Sequence, residues 1–365
     1  MKIGIVGAGN VGCACAMAAT IRGSAREIVL INRTRKRAEA VASDIRYGTP
    51  LGAKVDITDG DYDALEGAGI VLITSGVNEK AGGATDRNDP RGRLKLLEKN
   101  AEVYREILPK IVRAEPRAVL LVVTDPPDPL ADIARDTCSH ATVLSAGTYL
   151  DTQRFRVHLG KYFGVDPSQV EAQVIGDHGT SQVFLWSSAC IAGVPVAESL
   201  KKRGETLRKL HEKVETEVRY ANITIIEGHD ASQYGIGIVC ARIAEIVLND
   251  ERAVIPIGSY QKDFGVTLSL PSVLGRRGIV EVLEPEMSDE ERRGLRKSAE
   301  SFREYTRTKR VRWIRLPIGR PYIGGDSLQT HWVPREIDDA ISIGYHLAER
   351  TEDNSCARRG PHAFR

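Results

Sequence analysis

The sequence predicts an α/β protein: a doubly wound parallel sheet over residues 1–148, an α+β domain over 149–308 and a C-terminal extension over 309–365. Three observations predict it. Short β-branched runs alternate with helical patterns through the first half, a glycine-rich turn follows the first run directly, and beyond Tyr149 longer helices and alternating segments take over. The early runs are Lys2 to Val6, Glu27 to Ile31, Ile70 to Thr74, Val119 to Thr124 and Val143 to Ser145. Strands spaced by helices in this way build a parallel sheet flanked by helices. In the second domain Glu171 to Ile175, Val254 to Ile257 and Val266 to Leu270 read as strands. Ser288 to Glu304 reads as a helix with a capping box formed by Ser288 and Glu291, and it closes the compact body.

Past residue 308 the composition turns Arg- and Pro-rich, with Trp313 and Trp332. One helical pattern follows from Glu336 to Ala348, with Ile337, Ile341, Tyr345 and Ala348 near one face, so this helix is expected to dock on its own chain or a neighbour. Thr351 to Arg365 is polar and reads as disordered.

Charge is nearly balanced, 51 basic against 49 acidic residues, so no global field recruits nucleic acid or an anionic membrane. Met1-Lys2 leads straight into the first strand, without the apolar core of an export signal, and no apolar run is long enough to span a bilayer. A soluble, cytoplasmic protein is expected. Cysteines 13, 15, 138, 190, 240 and 356 form no C-x-x-C pair and no zinc-like cluster, which reads as buried, reduced thiols and no metal site.

Gly7-Ala-Gly9-Asn10-Val11-Gly12 follows the first strand and opens a helix. The first glycine allows the tight turn, the second lets the backbone approach a pyrophosphate, and the third lets helix and strand pack closely. In a glycine-rich chain the motif alone is weak. Its place in a strand–turn–helix–strand unit is what points to a Rossmann dinucleotide site, because the helix N-terminus presents free N–H groups to an anion. After the second strand, where a carboxylate usually bonds the adenosine ribose, stands Asn32, followed by the basic run Arg33 to Arg37. A cationic site without a carboxylate favours a 2′-phosphate and hence NADP(H), with Arg33 as a contact. NAD(H) stays open: Arg35 to Arg37 then lie solvated at the start of the next helix, and Asn32 bonds the ribose.

Gly176-Asp-His178-Gly179 sets a histidine between glycines after an apolar strand, and histidine is suited to exchanging a proton near neutral pH. Asp151 and Arg154, three apart on a helix beginning near Gly147, share a face. One can orient a histidine while the other forks onto a carboxylate, unless the two form an ordinary surface ion pair.

Leu150-Asp151-x-x-Arg154-Phe-Arg156 followed by Gly-x-His178-Gly resembles the lactate/malate dehydrogenase family. The similarity runs on through Gly7 to Gly12, Arg93 to Asn100, Asp125-Pro-Pro-Asp-Pro-Leu, Val254 to Tyr260 and the helix at Ser288, covering about residues 1–307. The resemblance implies His178 as acid/base, Asp151 as its charge partner and Arg154 as anchor of the substrate carboxylate. It implies Arg93 as the loop arginine that polarises the carbonyl, with Arg91 competing, and Ser232 as a small residue facing the substrate side chain. It also implies a 2-oxo/2-hydroxy acid substrate and a homodimer or homotetramer.

Three departures stand out. The Gly76 to Arg93 segment is longer than the family's mobile loop, with an inserted Gly82-to-Pro90 stretch that suggests a flexible lid. Glu79 stands where malate enzymes place an arginine, which disfavours malate unless Lys80 or Arg87 substitutes. Asp125 replaces an asparagine whose amide donates to the substrate oxygen. An ionised carboxylate only accepts, so Asp125 suits an iminium nitrogen, or else it merely holds its turn by backbone bonds. The expected function is thus a nicotinamide-dependent 2-hydroxy acid dehydrogenase. The alternatives are a 2-imino acid reductase and a catalytically silent, cofactor-sensing protein.

Overall fold

The computed structural model describes residues 1–310 except 78, 79, 81, 83, 84, 88, 90, 91, 139, 141 and 205, without the side chains of 93, 302 and 304–310. All of these fall within one compact unit, Met1–Ile318. Trp313, Trp332 and the 336–348 pattern lie outside the described residues, as do Glu79 and Arg91.

The first half is built as β1 (Lys2–Val6), α1 (Asn10–Arg22), β2 (Glu27–Ile31), α2 (Arg35–Gly48), β3 (Asp56–Asp59), β4 (Ala68–Ile73), α3 (Leu97–Ala114), β5 (Val119–Val122), α4 (Pro127–Cys138) and β6 (Val143–Ser145). These six strands pair in parallel in the order β6-β5-β4-β1-β2-β3. The inner strands are buried on both faces, which is why they read as continuous apolar runs. β3 escaped the sequence reading for the converse reason: at the sheet edge only Ile57 is buried, and Asp56-Ile-Thr-Asp shows no apolar run. Helix α1 starts at Asn10, and ends where Gly23, at φ 65°, turns its N–H back to the carbonyl of Thr20.

The second half continues with α5 (Tyr149–Phe163), short strands β7 (Val170–Glu171), β8 (Val174–Ile175), β9 (Val183–Phe184), β10 (Cys190–Ile191) and β11 (Val194–Pro195), then α6 (Val196–Lys202), α7 (Leu207–Arg219), α8 (Ala221–His229) and α9 (Tyr234–Asn249). Three longer strands follow, β12 (Ala253–Gln261), β13 (Val266–Gly275) and β14 (Gly278–Val282), and then α10 (Asp289–Arg310). The capping box forms as expected: Ser288 N–H donates to Glu291 Oε2 at 2.6 Å, and Glu291 N–H to Ser288 Oγ at 3.3 Å.

One feature departs from a clean succession of two domains. β12, β13 and β14 add antiparallel to the far side of β6, giving one nine-stranded sheet. Gly258 makes the junction possible, since a Cβ there would stand 1.9 Å from Ser145 Oγ. A second close approach joins α9 to α1, where a Cβ on Gly237 would lie 2.7 Å from the backbone of Ala14. The smaller sheets pack on α5 and α7 around Phe155, whose ring meets Phe184 and Trp186 edge-on at 5.2 and 4.7 Å. Of the five described cysteines only Cys15 and Cys240 are buried; Cys13, Cys138 and Cys190 are half-buried. No helix among the described residues is long and apolar enough to cross a membrane.

Candidate active site

The C-terminal ends of β1, β4 and β5 open into a cleft of about 330 Å³, the edge at which open parallel sheets bind ligands. Gly7 leaves β1 at φ 117°, a conformation that favours glycine. A Cβ on Gly12 would sit 1.8 Å from the carbonyl oxygen of Gly7, so only glycine lets α1 approach the turn. Gly9, Asn10 and Val11 line the cleft, and no side chain caps α1. The first N–H groups of α1 are therefore left for an anion, as a dinucleotide pyrophosphate requires, and the turn fits that group.

Asn32 does not line this cleft. Its Oδ1 accepts the N–H of Ala8 at 3.1 Å, and its Nδ2 donates to the carbonyl of Thr34, so the amide braces the glycine turn from behind. Arg33 is exposed beside it. Arg35 is held by Asp59 and Asp61, at 3.0 and 2.8 Å. Arg37 folds back, donating from Nε to the carbonyl of Ala8 at 2.6 Å, and lines the cleft; the basic run showed that cations were present but not which one turned inward.

Facing the glycine turn, His178, Arg154, Asp125 and Ser232 line the same cleft. Asp151 lies beneath them and is not a surface residue: it is 2 % exposed, receiving His178 Nδ1 on Oδ2 at 2.6 Å and Arg154 Nη1 on Oδ1 at 3.0 Å. A carboxylate accepts, so Nδ1 carries the proton of the neutral imidazole and Nε2 bears its lone pair. Arg154 Nη2 lies 3.5 Å from Ser232 Oγ. The loop around His178 is tied to α10, with Asp177 N–H donating to Ser298 Oγ at 3.1 Å and Ser298 Oγ donating to Asp177 Oδ1 at 2.9 Å.

The described part of the 76–93 segment leans on α8. Lys80 pairs with Asp230, which lines the cleft, and Arg87 with Glu227 at 2.6 Å. Arg93 falls in a short helical turn, Gly92–Leu96, and its side chain lies outside the described residues.

The sequence patterns of two domains match end to end: the lactate/malate dehydrogenase NAD binding domain over residues 1–147, and the family's alpha/beta C-terminal domain over 148–309. The chain belongs to the lactate/malate dehydrogenase family. Over 300 residues it is 41% identical to an L-lactate dehydrogenase of Deinococcus radiodurans, covering 82% of this chain and 96% of the relative. It is also 41% identical to an L-lactate dehydrogenase of Chloroherpeton thalassium, over 83% of this chain and 98% of that one. A solved lactate dehydrogenase from a Medee basin deep-sea metagenome library superposes with a TM-score of 0.77 at 31% identity, over 84% of this chain and 98% of that chain.

Two polar residues of this lactate/malate dehydrogenase family member were not singled out from sequence. Asn100 is fully buried in α3, accepting the N–H of Val77 at 2.7 Å and donating to the carbonyl of Asp125 at 2.6 Å. It fastens the base of the long loop to the Asp125 turn. An amide among the buried positions Leu97, Ala101 and Tyr104 is the signal that marks it.

Asp128, in the first turn of α4, is the other. It is 1 % exposed, and burial pushes its carboxyl up to about 7, against hydrogen bonds from Ser145 and the backbone of His178 that pull it down. The folded chain therefore keeps a proton that the unfolded chain releases between about pH 4 and pH 7, and stability falls as pH rises through that window, by on the order of 3 kcal/mol from this group. Asp128→Asn removes the effect. In melting experiments its advantage over wild type should be larger near pH 8 than near pH 5; equal differences would return the carboxyl to the usual range.

Proposed function

We propose that this chain catalyses reversible hydride transfer between a nicotinamide cofactor and a small 2-oxo/2-hydroxy acid. The observation that carries the reading is the bonded line His178–Asp151–Arg154 in the same cleft as the glycine turn. Gly7, Gly9, Asn10, Val11 and Gly12 would hold the cofactor, which supplies the hydride when bound. Arg154 fixes the acid's carboxylate, and His178 Nε2 gives a proton to the carbonyl oxygen in reduction and takes it back in oxidation. Asp151 holds the imidazole in the tautomer this needs and offsets its charge. Arg93 would reach the carbonyl from the loop. Glu79 and the engaged Lys80 and Arg87 favour a monocarboxylic acid over malate.

For the cofactor, Arg33 and Arg37 beside a carboxylate-free Asn32 favour NADP(H) over NAD(H). Arg33→Ala should then weaken NADPH far more than NADH in fluorescence titrations, and equal losses would return the preference to NAD(H). Asp125 in the cleft with His178 supports a second reading, reduction of a 2-imino acid, whose iminium nitrogen needs a nearby anion. A homo-oligomer is supported by Met17, Ile21, Tyr234 and Ile238, large apolar side chains left exposed on the packed pair α1 and α9. Light scattering of the purified chain decides its order.

The test of function is oxidation of NADPH and NADH against a panel of 2-oxo acids of increasing length, with and without methylamine. Turnover on the 2-oxo acids alone supports the dehydrogenase, and activity only with amine makes Asp125 the iminium partner. Cofactor binding without turnover would mean a silent, cofactor-sensing protein.

A further inference from the structure

We infer that Asp128 is a positioning residue for His178, acting on the main chain of the loop that carries the imidazole. The inference rests on the acid/base role given to His178 above. Asp128 Oδ2 accepts the His178 N–H at 2.7 Å, while Oδ1 accepts the hydroxyl of Ser145 at the end of β6. His178 is thus held by two carboxylates, Asp151 on its ring and Asp128 on its backbone, which come from different helices.

The local backbone explains why a second hold is needed. His178 sits two residues after Gly176, at φ 89°, and directly before Gly179, so its neighbours in this loop bring little side-chain packing of their own. The direction of its Cα–Cβ bond depends on how the peptide is fixed. The peptides around it are fixed by Ser269 at Gly176 and by Ser298 at Asp177, and the His178 N–H is fixed by Asp128.

Space for the carboxylate is kept open from the other domain. A Cβ on Gly258 of β12 would stand 2.8 Å from Asp128 Oδ1 as well as colliding with Ser145 Oγ. α4, β6, β12 and the His178 loop therefore converge on one buried side chain. If its task were only to pin α4 to β6, the Ser145 bond would suffice and Oδ2 would have no reason to reach the loop. Displacing the ring by about an ångström costs on the order of 100-fold in rate, so an anchor at its peptide acts on turnover rather than on cofactor binding.

The experiment compares Asp128→Ala, Asp128→Asn and Ser145→Ala in the full chain, using the 2-oxo acid turned over by wild type and a fluorescence titration of the cofactor. Asp128→Ala should lower kcat by about 30- to 100-fold with the cofactor Kd changed by less than about twofold. With cofactor deuterated at the transferred position, its isotope effect on kcat should rise. Asp128→Asn should recover kcat to within about fivefold of wild type, because its Oδ1 still accepts the His178 N–H and its amide can donate to Ser145. Ser145→Ala, which leaves the Oδ2 bond in place, should lose less than about tenfold, and it keeps the inference testable should the alanine variant at 128 not fold. An unimpaired kcat in Asp128→Ala overturns the inference, as does a parallel loss of kcat and cofactor affinity that asparagine does not restore. A loss in Ser145→Ala as deep as that expected for Asp128→Ala also overturns it. Wild type inert with every 2-oxo acid overturns the acid/base reading and this inference together, whereas an active wild type with a fully active alanine variant overturns this inference alone.

Discussion

Replacing His178 with alanine should lower kcat about 10³- to 10⁴-fold in both directions while the cofactor binds as in wild type, because the loss is that of a general acid/base and not of a binding group. The geometry favours a clean result. Asp151, stripped of the imidazole, still receives Arg154 Nη1 at 3.0 Å, so the buried carboxylate keeps a counter-charge and the fold should tolerate the change. The glycine turn is reached through separate elements, β1 and α1, and is not disturbed. Stopped-flow reduction and oxidation, with a fluorescence titration of cofactor alongside, would read the two quantities separately. A variant that keeps more than about a tenth of wild-type kcat would remove His178 from the chemistry.

Arg154→Lys should raise KM about 100-fold, equivalent to about 3 kcal/mol, with a smaller fall in kcat. The guanidinium spans two neighbours, Asp151 through Nη1 and the vicinity of Ser232 through Nη2 at 3.5 Å, and lines the cleft between them. An ammonium group makes one such contact at a time. If lysine turns to Asp151, the substrate loses its fork; if it turns to the substrate, Asp151 loses a partner and the imidazole is held less firmly. Steady-state kinetics over a wide substrate range separates these, and an unchanged KM would take Arg154 out of carboxylate binding.

Much of this was legible in the chain because the residues concerned act locally. The glycines at 7 and 12 are dictated by a turn of a few residues, and the pairing of Asp151 with Arg154 follows from helical spacing. What stayed hidden depends on contacts between distant segments. Nothing in the text around Asn32 says that its amide will serve Ala8, and nothing around Lys80 and Arg87 says that α8 and the residue just after it will present Glu227 and Asp230 to them. Asp128 reads as one more acidic residue in a Pro-rich helix start, until β6 and the His178 loop close over it. β3 was missed because an edge strand need not be apolar, and the seam between β6 and β12 because a strand's partner is not written in its own pattern.

That seam has a consequence for how the molecule is made. β6 is complete early in synthesis, yet its neighbour β12 is translated only after five helices and five short strands have intervened. Until then the nascent N-terminal half ends in a bare strand edge with unpaired N–H and C=O groups, the kind of template that invites pairing with another chain. A fragment ending near residue 148 should therefore precipitate or self-associate, and the full protein should gain its cooperativity late, when the last ribbon seals the slab. For the same reason the finished protein has little freedom to hinge its two halves.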